Sequence, residues 1–158
     1  MTVKEPYRVS RKPAFPSGDT IQCVFLTCFR SEFSVLAIVL QYSRIRLHRA
    51  DTLEEADFLL SATAGTVLVS DILFLDGSWR DALSMAGEVH PSVASLIAAD
   101  PVDSPFLADA YSRGACGALW KPVGFSEAIH LIRSADQASR DRALLSNRSA
   151  PTCDPGYS

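Results

Sequence analysis

Val67-Leu68-Val69-Ser70-Asp71 is the stretch on which the fold turns. Thr66 to Ser70 has the unbroken apolar character of a strand buried on both faces, and an acid stands directly after it. Working outward, apolar runs alternate with stretches of helical period, the pattern of a parallel sheet wrapped by helices. Upstream, Ile21 to Phe29 reads as a first buried strand. Phe33, Leu36, Ala37 and Leu40 then recur at i, i+3, i+4 and i+7, the stripe of an amphipathic helix. Arg44 to Ala50 alternates like an edge strand, and Thr52-Leu-Glu-Glu55 forms a capping box for a helix running to about Ser61. Downstream, Ser78 to Val89 reads as a third helix, and Pro91 separates it from a fourth strand, Val93 to Ala98. Ser104-Pro105 supplies an N-cap and first-turn pair for a helix that Gly114 closes. Ala115 to Trp120 gives a fifth strand, Pro122 stops it, and Phe125, Ile129 and Ile132 mark a last helix. The expectation is an α/β fold of five strands and five helices in strict alternation.

Leu, Ile, Val and Phe make up 43 of the 158 residues, above the roughly one-fifth below which a chain fails to build a core. The length suits one domain. Residues 1–18, with Lys4, Arg8, Arg11 and Lys12 among three prolines, read as a flexible basic arm; residues 19–144 form the folded domain, and 145–158 read as a disordered tail. The longest aliphatic stretch, Val35 to Leu40, falls far short of the ~18 residues of a membrane span, and the N-terminus has no apolar signal run. A soluble, cytoplasmic protein is expected. The net charge of −3, from mixed acids and bases, favours neither nucleic acid nor an anionic membrane. The four cysteines, Cys23, Cys28, Cys116 and Cys153, have no metal-ligand spacing and read as reduced thiols.

In an open doubly wound sheet the loops at the carboxyl ends of the strands converge on one crevice. Here those positions are Thr27 and Cys28, Asp71, Ala98, and Lys121-Pro122. Together with Gly114-Ala-Cys-Gly-Ala118 and Leu119-Trp-Lys121-Pro122, the segment Val67–Asp71 resembles the receiver domain of bacterial response regulators, over about residues 20–135. The resemblance implies a flavodoxin-like sheet of order 2-1-3-4-5 and a two-component phosphorelay role. It further implies an aspartate phosphoacceptor at Asp71 and a pocket lysine at Lys121. In such a site Mg²⁺ and an ammonium neutralise the charge gathered on phosphoryl oxygens.

Elsewhere the chain departs from the family. The usual acidic pair is Thr27 and Cys28, the usual hydroxyl is Ala98, the usual aromatic of the fifth strand is Ala118, and Leu75 stands where a proline is common. A hydroxyl and a thiol are poor ligands for a hard ion, so Mg²⁺ is expected to bind weakly or not at all, unless Asp76 and Asp100 lend oxygens. The reading is a degenerate, or pseudo-receiver, form. Asp71 and Lys121 then persist partly as an ion pair or retain residual phosphoacceptance. It is expected to be a stand-alone, non-enzymatic module whose partner is a histidine kinase, a downstream signalling protein or a second copy. The fourth helix, fifth strand and fifth helix would form its output face, with Trp120 filling the space beside Ala118. The alternative is a small flavodoxin-like enzyme or cofactor-binding protein using the same crevice, which offers no evident base, nucleophile or phosphate cradle. Cys28, at the start of a helix, is either a reactive thiol or an inert one. Arg44, Arg46, His48 and Arg49 read as a solvated edge that discourages strand pairing, and His90 and His130 have no evident partners.

Overall fold

The computed structural model describes residues 20–153, with side chains to Ser146; the basic arm and residues 154–158 lie outside the described residues. Five parallel strands form the sheet: β1 (Ile21–Leu26), β2 (Ile45–Ala50), β3 (Val67–Asp71), β4 (Ala94–Ala99) and β5 (Ala115–Trp120). Their order is β2-β1-β3-β4-β5, as the resemblance implies. The crossovers carry α1 (Arg30–Leu40), α2 (Leu53–Thr63), α3 (Trp79–Val89), α4 (Leu107–Ser112) and α5 (Phe125–Cys153). Among the described residues no helix is long and apolar enough to cross a membrane.

Side chains on a strand alternate between faces, and here the alternation divides the core in two. Cys23, Phe25, Val67, Val69, Leu96, Ala98 and Leu119 pack with Leu36 and Leu40 of α1 and Ile132 of α5. Their neighbours Val24, Leu26 and Leu68 meet Leu60 of α2 and Ala82 and Ala86 of α3 on the other face. Ile97 and Ala99 join Trp79, Leu83, Ala110 and the partly buried Trp120 there. Residues of one parity along β1, β3, β4 and β5 therefore point toward α1 and α5.

Several boundaries differ from the sequence reading. Thr52 caps α2 by accepting from Glu55 N at 3.2 Å, but Glu55 Oε1 accepts from Asp51 N at 2.7 Å, so the reciprocal half of the box slips back one residue. Between β3 and α3, Leu73–Phe74 and Gly77–Ser78 form a two-stranded antiparallel ribbon that strict alternation left out. The helix after β4 does not start at Ser104. A 3-10 turn spans Pro101–Phe106, with the Asp103 carboxylate accepting from Asp100 N at 3.3 Å and proline at its start, and α4 follows. Gly114 does end that segment, at φ +109°, where a Cβ would be strained. The last helix continues past Leu144, the expected end of the folded unit, to Cys153. Ala143, Leu144 and Leu145 are good helix formers and carry its backbone on.

Candidate functional site

The face toward α1 and α5 also sets the geometry of the crevice. Asp71 ends β3 beside Ala98 of β4, which in turn pairs with Leu119 of β5. Thr27 and Lys121 each continue the ladder one residue past their strands, with Thr27 N donating to Ala50 O and Lys121 N to Ala99 O, both at 2.9 Å. Thr27, Asp71, Ala98 and Lys121 thus share the parity of Phe25, Val69, Leu96 and Leu119, and their side chains gather at one end of the α1–α5 layer.

There Thr27, Asp71 and Lys121 form a chain of contacts. Asp71, only 2% exposed, accepts from Thr27 Oγ1 at 2.6 Å through Oδ2 and from Lys121 Nζ at 2.8 Å through Oδ1. Lys121 Nζ also donates to Glu32 Oε1, in the first turn of α1, at 2.7 Å. Burial pulls the Lys121 pKa down, but the hydrogen bonds to Asp71 and Glu32 outweigh it and hold the ammonium above its ordinary value of 10.5. Thr27 Oγ1 in turn accepts from Phe29 N at 3.1 Å. A buried carboxylate with a donor on each oxygen and an ammonium between two carboxylates is a hydrogen-bonded, satisfied cluster.

Sequence reasoning named Thr27, Asp71 and Lys121, and the structure brings these three together; it missed Glu32. Ala98 lies alongside and contributes no polar atom. Cys28 is exposed, while Thr27 is buried, so the two residues standing where an acidic pair is usual diverge. Asp76 and Asp100 do not join the cluster: Asp76 Oδ1 accepts from Leu53 N at 3.2 Å, and Asp100 sits at the cap of the 3-10 turn. Among the described residues no group of three or more His, Cys, Asp or Glu side chains could hold a metal ion. The receiver fold implies Mg²⁺; of the side chains gathered here only Asp71 and Glu32 are carboxylates, and both accept from the Lys121 ammonium, with which a hard cation would have to compete.

The remaining candidates resolve into structural contacts. Arg49 pairs with Asp51, and His48 Nε2 lies 2.8 Å from Gln22 Oε1 on edge strand β2; burial, then Arg46, lowers the His48 pKa. His90 does have a partner, Asp57 Oδ1 at 2.7 Å, which joins the end of α3 to α2. Trp120 packs in the cluster that includes Ala110 of α4, on the side of the sheet that Ala118 also faces. Asp109 of α4 accepts from Arg80 at 3.3 Å and Arg113 at 3.0 Å, and the Arg113 bond first of all holds its carboxyl below the ordinary value.

Cys23 is fully buried, which pushes its thiol far above the ordinary 9.0, whereas Cys28 and Cys116 are exposed. Alkylation of native protein at neutral pH followed by peptide mapping should therefore modify Cys28 and Cys116, and Cys23 only after unfolding. Rapid labelling of Cys23 would contradict the burial of β1.

Among the solved structures similar to this one are receiver domains. The signal receiver domain of an HD domain-containing protein from Pseudomonas fluorescens Pf-5 superposes with a TM-score of 0.72 at 17% identity, covering 84% of this chain and 98% of that one. The non-phosphorylated HemR receiver domain from Leptospira biflexa gives 0.64 at 18%, covering 74% and 94%. The beryllofluoride-activated NtrC4 receiver domain dimer gives 0.68 at 20%, covering 75% and 98%. The fold is that of response-regulator receiver domains. No protein-family model matches the sequence, and no curated protein is significantly similar to it.

Proposed function

We propose that this chain is a receiver-type module of two-component signalling, of the pseudo-receiver kind, cytoplasmic and not an enzyme, whose output is protein binding. One observation carries the reading: both oxygens of the Asp71 carboxylate are engaged, by Thr27 and by Lys121, while Lys121 is also held by Glu32. A phosphoacceptor must present a free oxygen to phosphorus and a cation to the developing charge. Here each oxygen already accepts a hydrogen bond that draws on its charge, and the cation at hand is an ammonium that Glu32 also holds. The output surface is the face of α4, β5 and α5, and its partner is a kinase, a downstream signalling protein or a second copy. With alanine at 98 and 118, and with Trp120 packed against Trp79, Leu83 and Ala110, that face stays in one arrangement whether or not a phosphodonor is present.

Intact mass after incubation with acetyl phosphate and Mg²⁺, beside Asp71→Asn, tests this. The expected result is no phosphoryl adduct and no saturating Mg²⁺ titration of tryptophan fluorescence at millimolar metal. An adduct that disappears in Asp71→Asn, or tight Mg²⁺ binding, would restore ordinary receiver chemistry.

A further inference from the structure

Beside the charged cluster, between α1 and the start of the β5–α5 loop, lies a cavity of about 260 Å³. Its buried end is formed by Phe25, Leu36, Ala98 and Leu119, each about 2% exposed. Alanine at position 98 leaves this end entirely apolar. Glu32 and Lys121 line its polar side, and the Glu32 side chain is 35% exposed where the cavity meets solvent. Glu32 and Lys121 line the cavity with Ser31, and Asp71 lies behind Lys121 outside the lining; the cluster as a whole sets two carboxylates against one ammonium and is net negative.

From this cavity we infer a small-molecule site for a compact apolar body carrying one protonated amine, the body against Phe25, Leu36, Ala98 and Leu119 and the ammonium on Glu32. Size and charge both select that class. An apolar cavity of about 150 Å³ takes up benzene, so one of this size holds roughly ten non-hydrogen atoms, the scale of an arylalkylamine. An anionic head would face the excess carboxylate, and a neutral head would leave that charge uncompensated. Occupancy would touch α1 and the β5–α5 loop together, so the ligand would act as an input to the module at the crevice where receivers take phosphate.

The inference rests on the crevice being closed to phosphoryl transfer, and the two are tested separately: phosphodonor mass shift reports the one, and titration without phosphodonor reports the other. The probe is 2-phenylethylamine, followed by two-dimensional NMR of the full chain, with 3-phenylpropionate and 2-phenylethanol as charge controls. Saturable shifts at Leu36, Ala98 and Leu119 are expected with the amine, with about tenfold or more weaker binding of the alcohol and no saturation by the carboxylate. Glu32→Gln should weaken the amine by about tenfold, the scale of one charge-assisted hydrogen bond, and remove its preference over the alcohol. Ala98→Leu should abolish binding by filling the buried end. If that variant does not fold, Val35→Trp, at a half-exposed wall position, carries the same test by closing the entrance. Failure of the amine to saturate, equal binding of the carboxylate, or an unchanged affinity in Glu32→Gln would each overturn the site.

Discussion

Lys121→Met is expected to lower the unfolding free energy by about 3 kcal/mol, the lower end of the range for breaking a buried pair, because Lys121 itself is 22% exposed and water reaches its head. The variant leaves the Asp71 carboxyl group buried with Thr27 as its only donor. In Lys121→Met combined with Asp71→Asn the stranded carboxyl group is gone, so the double variant should be more stable than Lys121→Met alone. Urea unfolding of all four proteins gives the coupling, and additive effects would show that the two side chains do not interact. The pH dependence follows from the direction of the Lys121 shift. Its folded-state pKa lies above 10.5, so its contribution is fully present below that pH and is lost as pH rises through the folded value. An alkaline loss of stability that is present in the wild type and absent in Lys121→Met is the signature.

The second large effect is at Trp79. This side chain is 3% exposed, stacks on Phe106 with centroids 5.1 Å apart, and lies under the Arg80 guanidinium at 4.6 Å. It joins the first turn of α3 to the 3-10 turn before α4, so Trp79→Ala empties the one cluster that these elements share. A loss of about 3–5 kcal/mol is expected from urea unfolding. Phe58→Ala, on the solvent side of α2 at 67% exposure, should stay within about 0.5 kcal/mol and serves as the comparison. A Trp79 variant that loses less than about 1 kcal/mol would mean that the α3–α4 layer is held by something else.

What the sequence makes legible here depends on the range of the signal. The strands are apolar runs and the helices are period-3.6 stripes, and both survive in the structure because packing agrees with local pattern. The ends of elements are set by single hydrogen bonds, and there the reading slips. Glu55 finds the amide of Asp51 rather than that of Thr52, and the segment after β4 is capped at Asp100 with Asp103, not at Ser104. The ribbon before α3 turns at Leu75-Asp76, a dipeptide without the usual hairpin-turn signature, so the local pattern did not mark it.

The site divides in the same way. Thr27, Asp71 and Lys121 stand at strand ends, where a doubly wound sheet must place them. Glu32 was missed because it stands on a helix five residues beyond Thr27. Its only sequence signal is an acid in the first turn of α1, which elementary helix electrostatics explains without a partner. That it reaches Lys121, 89 positions away, follows from α1 and α5 packing side by side on one face of the sheet and from nothing local.

The cluster has a counterpart at the other rim of the sheet. Thr66, just before β3, donates to Asp136 of α5 at 2.6 Å, Arg140 holds the second oxygen of that carboxylate at 2.8 Å, and Arg142 reaches Val93 O at 3.1 Å. At the crevice rim the chain Glu32–Lys121–Asp71–Thr27 spans α1, β5, β3 and β1. Loops at the ends of parallel strands are ordinarily where such a domain breathes, since few contacts oppose their local opening. Here neither rim opens without separating charges that water only partly repays. The first and third strands, the last helix and the crevice are therefore expected to open as one unit, with the amides of Thr27 and Lys121 protected in native-state hydrogen exchange to the level of global unfolding.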